Sequence, residues 1–498
     1  MKELRSLLKG CSSVGFTNPG LTRRAPSGLK PIRSQPLKLV AVVSLLAASM
    51  FFCVDALAAE RNPDQSSTTE TAAERGYRIL RTRSFLPADF DQRVFDALWT
   101  IWPEPLRSQA KDASPTERRR MAFSRYGLID APDDGYSQRT AVGWVDVEKG
   151  GWAMNCLACH AGKVAGRVIP GLPNTHFALQ TLIEDIRTIK LLQFKKPSHL
   201  ELASLKLPLG TTNGTSNSVV FGIVLGALRD RDMKVNVRRR LPKLDHHDMD
   251  APPFWNVSRK SSLYCDGHAP KTHRVLMQFM LIPSNSGETV RSWEDGFRDI
   301  LAWIESVQPP KYPWAINGDL AAKGKTAFEA NCSRCHGTYG KDGRYPQKTI
   351  PIDVVGTDPV RLRALAPEHR RWLRESWMSR YGKDPVVLEP AGYVAPPLNG
   401  IWASAPYFHN GSVPTLWQVL HPDERPTLWK RSEEGYDRKQ VGLEVGVYDK
   451  LPKNVRLSAE RRTYFDTRRR GKSAAGHRFP DVLDDGEKRA VLEYLKTL

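Results

Sequence analysis

Cys156-Leu157-Ala158-Cys159-His160 and Cys332-Ser333-Arg334-Cys335-His336 are two copies of one pattern in a single chain. Two thiols separated by two residues can add to the two vinyl groups of one haem, and a histidine directly after the second thiol is then held beneath the iron as its proximal ligand. A zinc site made from two Cys-x-x-Cys pairs would not need a histidine after each, and a thioredoxin-like dithiol sits in a βαβ context that neither pair has. The pattern therefore points to two haems c. Cys156, Cys159, Cys332 and Cys335 would make the thioethers, and His160 and His336 would ligate the irons.

The surroundings of the second motif read as a cytochrome c domain. Leu320 to Glu329 forms a helical stretch capped by Asp319, and Ala490, Val491, Tyr494, Leu495 and Leu498 make one apolar stripe at helical spacing. A helix before the motif crossing a helix at the C-terminus is how such domains are built. The first half repeats this on a larger scale. Phe90 to Trp102 and Thr116 to Tyr126 read as helices before Cys156, and Trp293 to Val307 reads as the closing helix, with Phe297, Ile300, Leu301 and Ile304 on its buried face.

Gln308-Pro309-Pro310-Lys311-Tyr312-Pro313 cannot continue a helix and reads as a linker, which puts a domain boundary near 310. About 130 residues separate His160 from the closing helix, more than one haem face needs. That insertion holds a polar turn at Thr211 to Ser218, an apolar run from Val219 to Leu228, and Pro252-Pro253-Phe254-Trp255. The expected fold is mainly α: two cytochrome c-like haem domains, the first with a large insertion.

The length of 498 residues suits two domains, and 26% charged with 40% hydrophobic residues excludes collagen, mucin and wholesale disorder. Leu39 to Val54 is an apolar run preceded by Arg23, Arg24, Lys30, Arg33 and Lys38 and followed by Ala56-Leu57-Ala58, the outline of a secretory signal cleaved after Ala58. Left uncleaved, it would anchor the chain in a membrane. The expected division is a signal peptide at 1–58, an N-terminal extension at 59–84, a first haem domain with an inserted distal-pocket region at 85–310, and a second haem domain at 311–498.

The net charge is +20; residues 1–58 hold eight Lys or Arg against Glu3 and Asp55, leaving +14 on the remainder. The runs Arg118 to Arg120, Arg238 to Arg240 and Arg468 to Arg470 are solvated surface, or else steer an acidic redox partner or neutralise haem propionates. There is no zinc-finger spacing and no basic element interleaved with aromatics, which speaks against nucleic acid as a partner. Cys265 is left unpaired and reads as a buried thiol; Met154 reads as packing, and Asn174 as a turn under the first haem.

The segment Ala395-Pro396-Pro397-Leu398-Asn399-Gly400-Ile401-Trp402-Ala403-Ser404-Ala405-Pro406-Tyr407-Phe408-His409-Asn410-Gly411-Ser412-Val413-Pro414 resembles the bacterial dihaem cytochrome c peroxidase superfamily, nearest its rubber-oxygenase-like branch. Ala251-Pro252-Pro253-Phe254-Trp255, Asp266-Gly267, Val355-Gly356-Thr357-Asp358-Pro359 and the tail around Gly476-His477 point the same way. The resemblance implies a division of labour, in which an oxygen species reacts at one haem while the other, fully ligated, stores or relays an electron. Some relatives carry calcium between the domains, so calcium is a further cofactor the resemblance admits.

Each motif supplies one axial ligand, so the sixth ligand decides whether an iron can bind a small molecule. For the second haem the candidates are Met378, His369, His409, His421 and His477. His477 is favoured, because it lies in a glycine-containing loop just before the terminal helix and the branch resembled uses a histidine in that tail. His409, in the turn Phe408-His409-Asn410-Gly411, is a hydrogen-bonding residue at the haem edge or a structural part of the turn. For the first haem the expectation is His160 on one side and an open or weakly filled position on the other, with Trp255 and His268 as candidates for the distal pocket. A histidine at 268 departs from the aromatic residue found nearby in the branch. It acts as acid or base on peroxide, ligates the iron, or is exposed.

Two functions follow. One is an exported haem enzyme of peroxidase or oxygenase type in the periplasm or outside the cell, using peroxide or dioxygen and electrons from a redox partner protein. The other is a non-enzymatic dihaem electron carrier with both irons six-coordinate.

Overall fold

The helix that leads into the second motif spans Gly318–Asn331. Its cap is Asn317, whose side chain accepts from the backbone N–H of Leu320 at 3.0 Å; Asp319, read from sequence as the cap, sits inside the first turn, where its charge suits the helix N-terminus. The terminal helix is Asp485–Leu495. Asp484 accepts from the N–H of Glu487, and Glu487 accepts from that of Asp484, closing a capping box. The two helices cross at Gly324, where a Cβ would lie 1.8 Å from the carbonyl oxygen of Ala490. Only a residue without a side chain permits that approach. Phe328, Val491, Tyr494 and Leu495 fill the crossing.

The computed structural model describes residues 70–133, 135–236 and 245–498, so the expected signal peptide and the run Arg238 to Arg240 lie outside the described residues. In the first half the same crossing is made by Ala72–Thr82 and the closing helix Glu294–Ser306. Gly76 plays the part of Gly324: a Cβ on it would lie 2.0 Å from the carbonyl oxygen of Asp299. Arg75 locks the crossing with a bidentate pair to Asp299, both bonds at 2.9 Å, and Tyr77 stacks on Trp303 at 4.9 Å. The buried face of the closing helix is Phe297, Ile300, Trp303 and Ile304; Leu301 lies to one side, half-buried.

The helix that makes this crossing thus comes from the stretch read as an N-terminal extension. The segments expected in its place belong to a separate excursion over residues 83–154. Phe90 to Trp102 is a two-residue strand, a short helix Gln92–Ala97 and a 3-10 turn, and Pro115–Tyr126 is a helix in a second core with Leu182, Ile183 and Ile186. An antiparallel hairpin, Trp144–Val147 against Gly151–Met154, returns the chain to Asn155. There the side-chain amide donates to the carbonyl of Leu80 at 2.6 Å. The first motif is thereby tied to the end of the crossing helix, as the second is joined to it through Asn331.

After the first motif, the hairpin Ala161–Val164 with Arg167–Pro170 is followed by the helices Leu179–Leu192, His199–Ser204 and Ser218–Ala227, the last being the expected apolar run. No regular structure runs from Val307 to Asn317, and the Pro310 carbonyl accepts from the indole of Trp402 at 2.8 Å. The second half adds a three-stranded sheet in the order Gly442–Val447, Leu428–Asp437, Tyr464–Asp466. With 42% helix and 13% strand the protein is mainly α, and Thr69–Leu498 pack as one compact unit. Among the described residues no helix is long and apolar enough to cross a membrane.

Candidate haem sites

Both motifs present their histidine in the same way. Nδ1 of His160 hydrogen-bonds the carbonyl of Pro252 at 3.0 Å, and Nδ1 of His336 hydrogen-bonds that of Pro396 at 2.8 Å. A carbonyl only accepts, so the proton sits on Nδ1 and the lone pair of Nε2 is left for a metal. The two prolines open matching segments, Ala251-Pro252-Pro253-Phe254 and Ala395-Pro396-Pro397-Leu398, each downstream of its own Cys-x-x-Cys-His. Sequence reasoning quoted both segments and missed this role. The signal that could have found it was the repeated Ala-Pro-Pro itself.

The four motif cysteines are free thiols of intermediate exposure. Burial pushes the Cys156 thiol up to about 11, Cys159 up to about 12 and Cys332 up to about 11. A dithiol that works by exchange needs a lowered thiol, which this setting does not provide.

Beyond the proximal histidines the halves differ. The ring of His477 faces that of His336, with centres 6.1 Å apart and planes at 62°. A metal held by one nitrogen of each ring needs about 2 Å to each nitrogen and about 1 Å more to each ring centre, so about 6 Å between centres. The gap therefore fits one iron. Gly476 and His477 both have left-handed backbones, with φ of +79° and +50°, and the N–H of His477 donates to the Val355 carbonyl at 2.6 Å. Arg425 pins the loop from behind by donating to the carbonyls of Ala474 and Gly476, both at 2.7 Å. Nδ1 of His477 is buried with no protein partner, and burial drives this imidazole down to about 3.

The other candidates for that position are occupied elsewhere. His421 stacks on Trp417 at 3.7 Å, Met378 is buried with Leu157 and Trp377 in the core of the first half, and His369 lies on the helix Pro367–Glu375 with Nδ1 at 3.3 Å from the Ala366 carbonyl. His409 packs against the ring of Tyr393 at 4.3 Å. Burial takes His409 down to about 3, with help from the charge of Arg361.

Opposite His160, among the described residues, no second imidazole stands as His477 stands opposite His336. The ring found against His160 is Phe254, stacked at 4.2 Å, which belongs to the segment that also supplies the Pro252 carbonyl. Trp255 is the next residue. Its indole donates to the Asn399 carbonyl at 2.7 Å, and the Asn256 amide donates to the carbonyls of Pro397 and Asn399 at 3.0 and 3.2 Å. The two proline segments are thus tied together, and Trp255 sits buried in the seam between the halves.

His268 is buried, not exposed, stacked on Tyr264 at 4.8 Å, with Nδ1 2.9 Å from Asp266. Asp266 also receives Arg370 at 3.0 Å and Arg361 at 3.4 Å. Burial alone would raise this carboxyl, but the Arg361 guanidinium, His268 and Arg370 hold it well below the usual range. Burial lowers the His268 imidazole against the pull of Asp266, leaving a neutral ring whose Nδ1–H is donated and whose Nε2 can take a proton. Sequence reasoning named His268 without pairing it to Asp266 two residues before it, and missed Arg361 and Arg370 because they lie about a hundred residues further along the chain.

Nε of Arg361 and Nε of Arg370 are buried without acceptors. Two guanidiniums against one carboxylate leave a buried surplus of positive charge, a setting that fits the carboxylates of a haem. The exposed arginine runs have local duties instead. Arg118 donates to the Ala110 carbonyl, Arg119 to those of Arg139 and Thr140, Arg468 pairs with Asp466, and Arg470 pairs with Asp245. Cys265 packs against the small cluster that holds Tyr393, as Cys335 also does, and Asn174 donates to the carbonyls of Gly127 and Ala158 at the first motif. No group of three or more His, Cys, Asp or Glu among the described residues is arranged to hold a metal ion, so no side chains single out a place for calcium.

The RoxA-like, cytochrome c-like family matches residues 392–430, the stretch that contains Pro396, Asn399 and His409. Two uncharacterised proteins of Sinorhizobium fredii are similar over longer stretches. One, y4iJ, is 29% identical over 259 residues, which covers 39% of this chain and 41% of that protein. The other, y4iM, is 27% identical over 286 residues, covering 50% of this chain and 64% of that protein. The chain thus spans less than two thirds of either relative's length. The chain thus carries a RoxA-like, cytochrome c-like domain at residues 392–430, a match that, with the two Cys-x-x-Cys-His motifs and the carbonyl-oriented histidines, implies a c-type cytochrome.

Proposed function

We propose that this protein is an exported dihaem redox enzyme of peroxidase or oxygenase type, working in the periplasm or outside the cell. The observation that carries the reading is the asymmetry of the two sites: His336 has His477 across a gap of metal-binding width, and His160 has no such partner among the described residues. Bound at these sites, haem would supply an iron able to exchange single electrons and, where a coordination position is free, to bind an oxygen species.

The chain's own residues divide the work. His336 and His477 close the second site and suit it to holding an electron. His160, set by Pro252, leaves the far face of the first site to a small molecule, peroxide or dioxygen. His268, with its tautomer set by Asp266, is the group for moving a proton there, and the buried Arg361 and Arg370 hold that pair in place. The seam of Trp255 and Asn256 with Pro397 and Asn399 keeps the proximal sides of the two sites at a constant separation. The basic surface suits an acidic redox partner protein.

Cyanide binding tests this. The oxidised, haem-loaded protein should take up one equivalent of cyanide, with the second haem's spectrum unchanged. His268→Ala should slow its reaction with hydrogen peroxide by about a hundred-fold, the size of a lost general acid or base. Refusal of cyanide by both irons would favour the dihaem electron carrier instead.

A further inference from the structure

The helix Leu179–Leu192 buries Leu182, Ile183, Ile186 and Ile189 and then runs out of core. Its last residues, Leu191 and Leu192, are 69% and 65% exposed. Phe194 follows in a left-handed backbone conformation, φ +56°, and is 98% exposed. A phenylalanine in that conformation is a poor way to end a helix, a position where glycine or asparagine is usual. Its ring touches almost nothing in return. The next helix, His199–Ser204, adds Leu202 and Leu205, both more than half exposed.

The exposed charges within residues 191–206 have one sign. Lys196 and Lys206 are exposed, and Lys195 lies between them and the tip. The one acid in this stretch, Glu201, is buried and engaged by the buried Lys190, while Lys195 reaches back to Asp91 at 2.5 Å. From Leu191 to Lys206 the exposed residues are leucines, Phe194, lysines, Gln193 and Pro197, with no exposed carboxylate. A protein partner would more usually meet a flat or concave patch. A projecting ring flanked by leucines and lysines has the chemistry that enters the headgroup layer of an anionic bilayer, with the apolar groups sinking between lipids and the ammonium groups meeting phosphate.

We infer that the Leu191–Lys206 hairpin docks this protein peripherally on anionic phospholipid. The surface lies outside both motifs and stands independently of what happens at the haems. It is built on firm elements: Ser198 caps the second helix by accepting from the Glu201 N–H, and the Lys190–Glu201 pair ties the two helices together beneath the tip.

The experiment is flotation of the haem-loaded protein with vesicles of phosphatidylglycerol and phosphatidylethanolamine, and with vesicles of phosphatidylcholine alone. Anionic vesicles should carry the protein at low salt and release most of it at high salt, and phosphatidylcholine should carry little. The triple variant Leu191→Ser, Leu192→Ser, Phe194→Ser should cut binding to anionic vesicles by about ten-fold or more, while Val482→Ser, at another exposed apolar residue, should leave it unchanged. Hydrogen exchange on the wild-type protein should show slowed exchange in residues 190–206 when anionic vesicles are added, a reading that does not depend on any variant folding. Equal flotation of the triple variant, no flotation of the wild type, or a patch whose removal changes only self-association in sedimentation would each overturn the inference.

Discussion

The imidazole of His477 is buried, held in a strained turn, and given no protein partner for Nδ1. A polar ring in that state costs free energy unless a ligand satisfies it, and the ring centre of His336 lies 6.1 Å away. Replacing His477 with Ala should turn the second haem from low-spin to high-spin and raise its reduction potential, with the first haem unaltered; optical and redox titrations read both. An unchanged second haem would remove His477 from the coordination sphere. The proximal residues were legible in the sequence because the chemistry of attachment demands their spacing. His477 was legible only through its glycine loop and the family resemblance, and the Pro252 and Pro396 acceptors were marked only by the repeated Ala-Pro-Pro, since a backbone carbonyl leaves no side-chain signature.

A second residue has a pH signature. Asp89 is fully buried, and burial raises its carboxyl to about 7 against the pull of the Met154 N–H and Lys190; Glu201 and His199 also face it. The folded protein then holds a proton that the unfolded chain releases near pH 4. The stability this gives is complete below that pH and is lost as pH rises towards 7. Asp89→Asn keeps the neutral form at every pH. Its unfolding free energy should gain on the wild type between pH 5 and 7, by on the order of 1 kcal/mol per pH unit, read as a rising difference in melting temperature that levels off above pH 7.5. A constant difference across that range would contradict the assignment.

At the scale of elements, the two helix crossings share one device. Gly76 and Gly324 each bring a helix backbone against a carbonyl of its partner, and Leu80 and Phe328, four residues on, fill the space beyond. Gly76→Ala or Gly324→Ala should destabilise the protein by about 2 kcal/mol through overpacking, visible as a lower melting temperature, whereas Gly318→Ala, with open space around it, should be neutral or slightly stabilising. The closing helices were legible because an apolar stripe at helical spacing marks them wherever they fall. Ala72–Thr82 was not, since the excursion over residues 83–154 separates it from Cys156 and makes it look like an appendage. Asn155, reaching back to Leu80, restores a junction that the chain itself interrupts.

Across the whole molecule, the halves are joined by a seam of indole and amide donors on backbone carbonyls, which no periodicity announces. Trp255→Phe should cost about 1 kcal/mol, the worth of one buried hydrogen bond, because Asn256 still reaches the Asn399 carbonyl. The first haem's reaction with peroxide should survive that change; a large loss of peroxide reactivity would place Trp255 in the distal pocket after all. Residues 69–498 form one compact unit in which His477 lies across from His336 and, among the described residues, no second imidazole lies across from His160; the proposed inequality of the two irons rests on that difference. Electron paramagnetic resonance of the oxidised, haem-loaded protein tests it most directly. One low-spin and one high-spin haem in equal amounts is the predicted result, and two low-spin haems would contradict it.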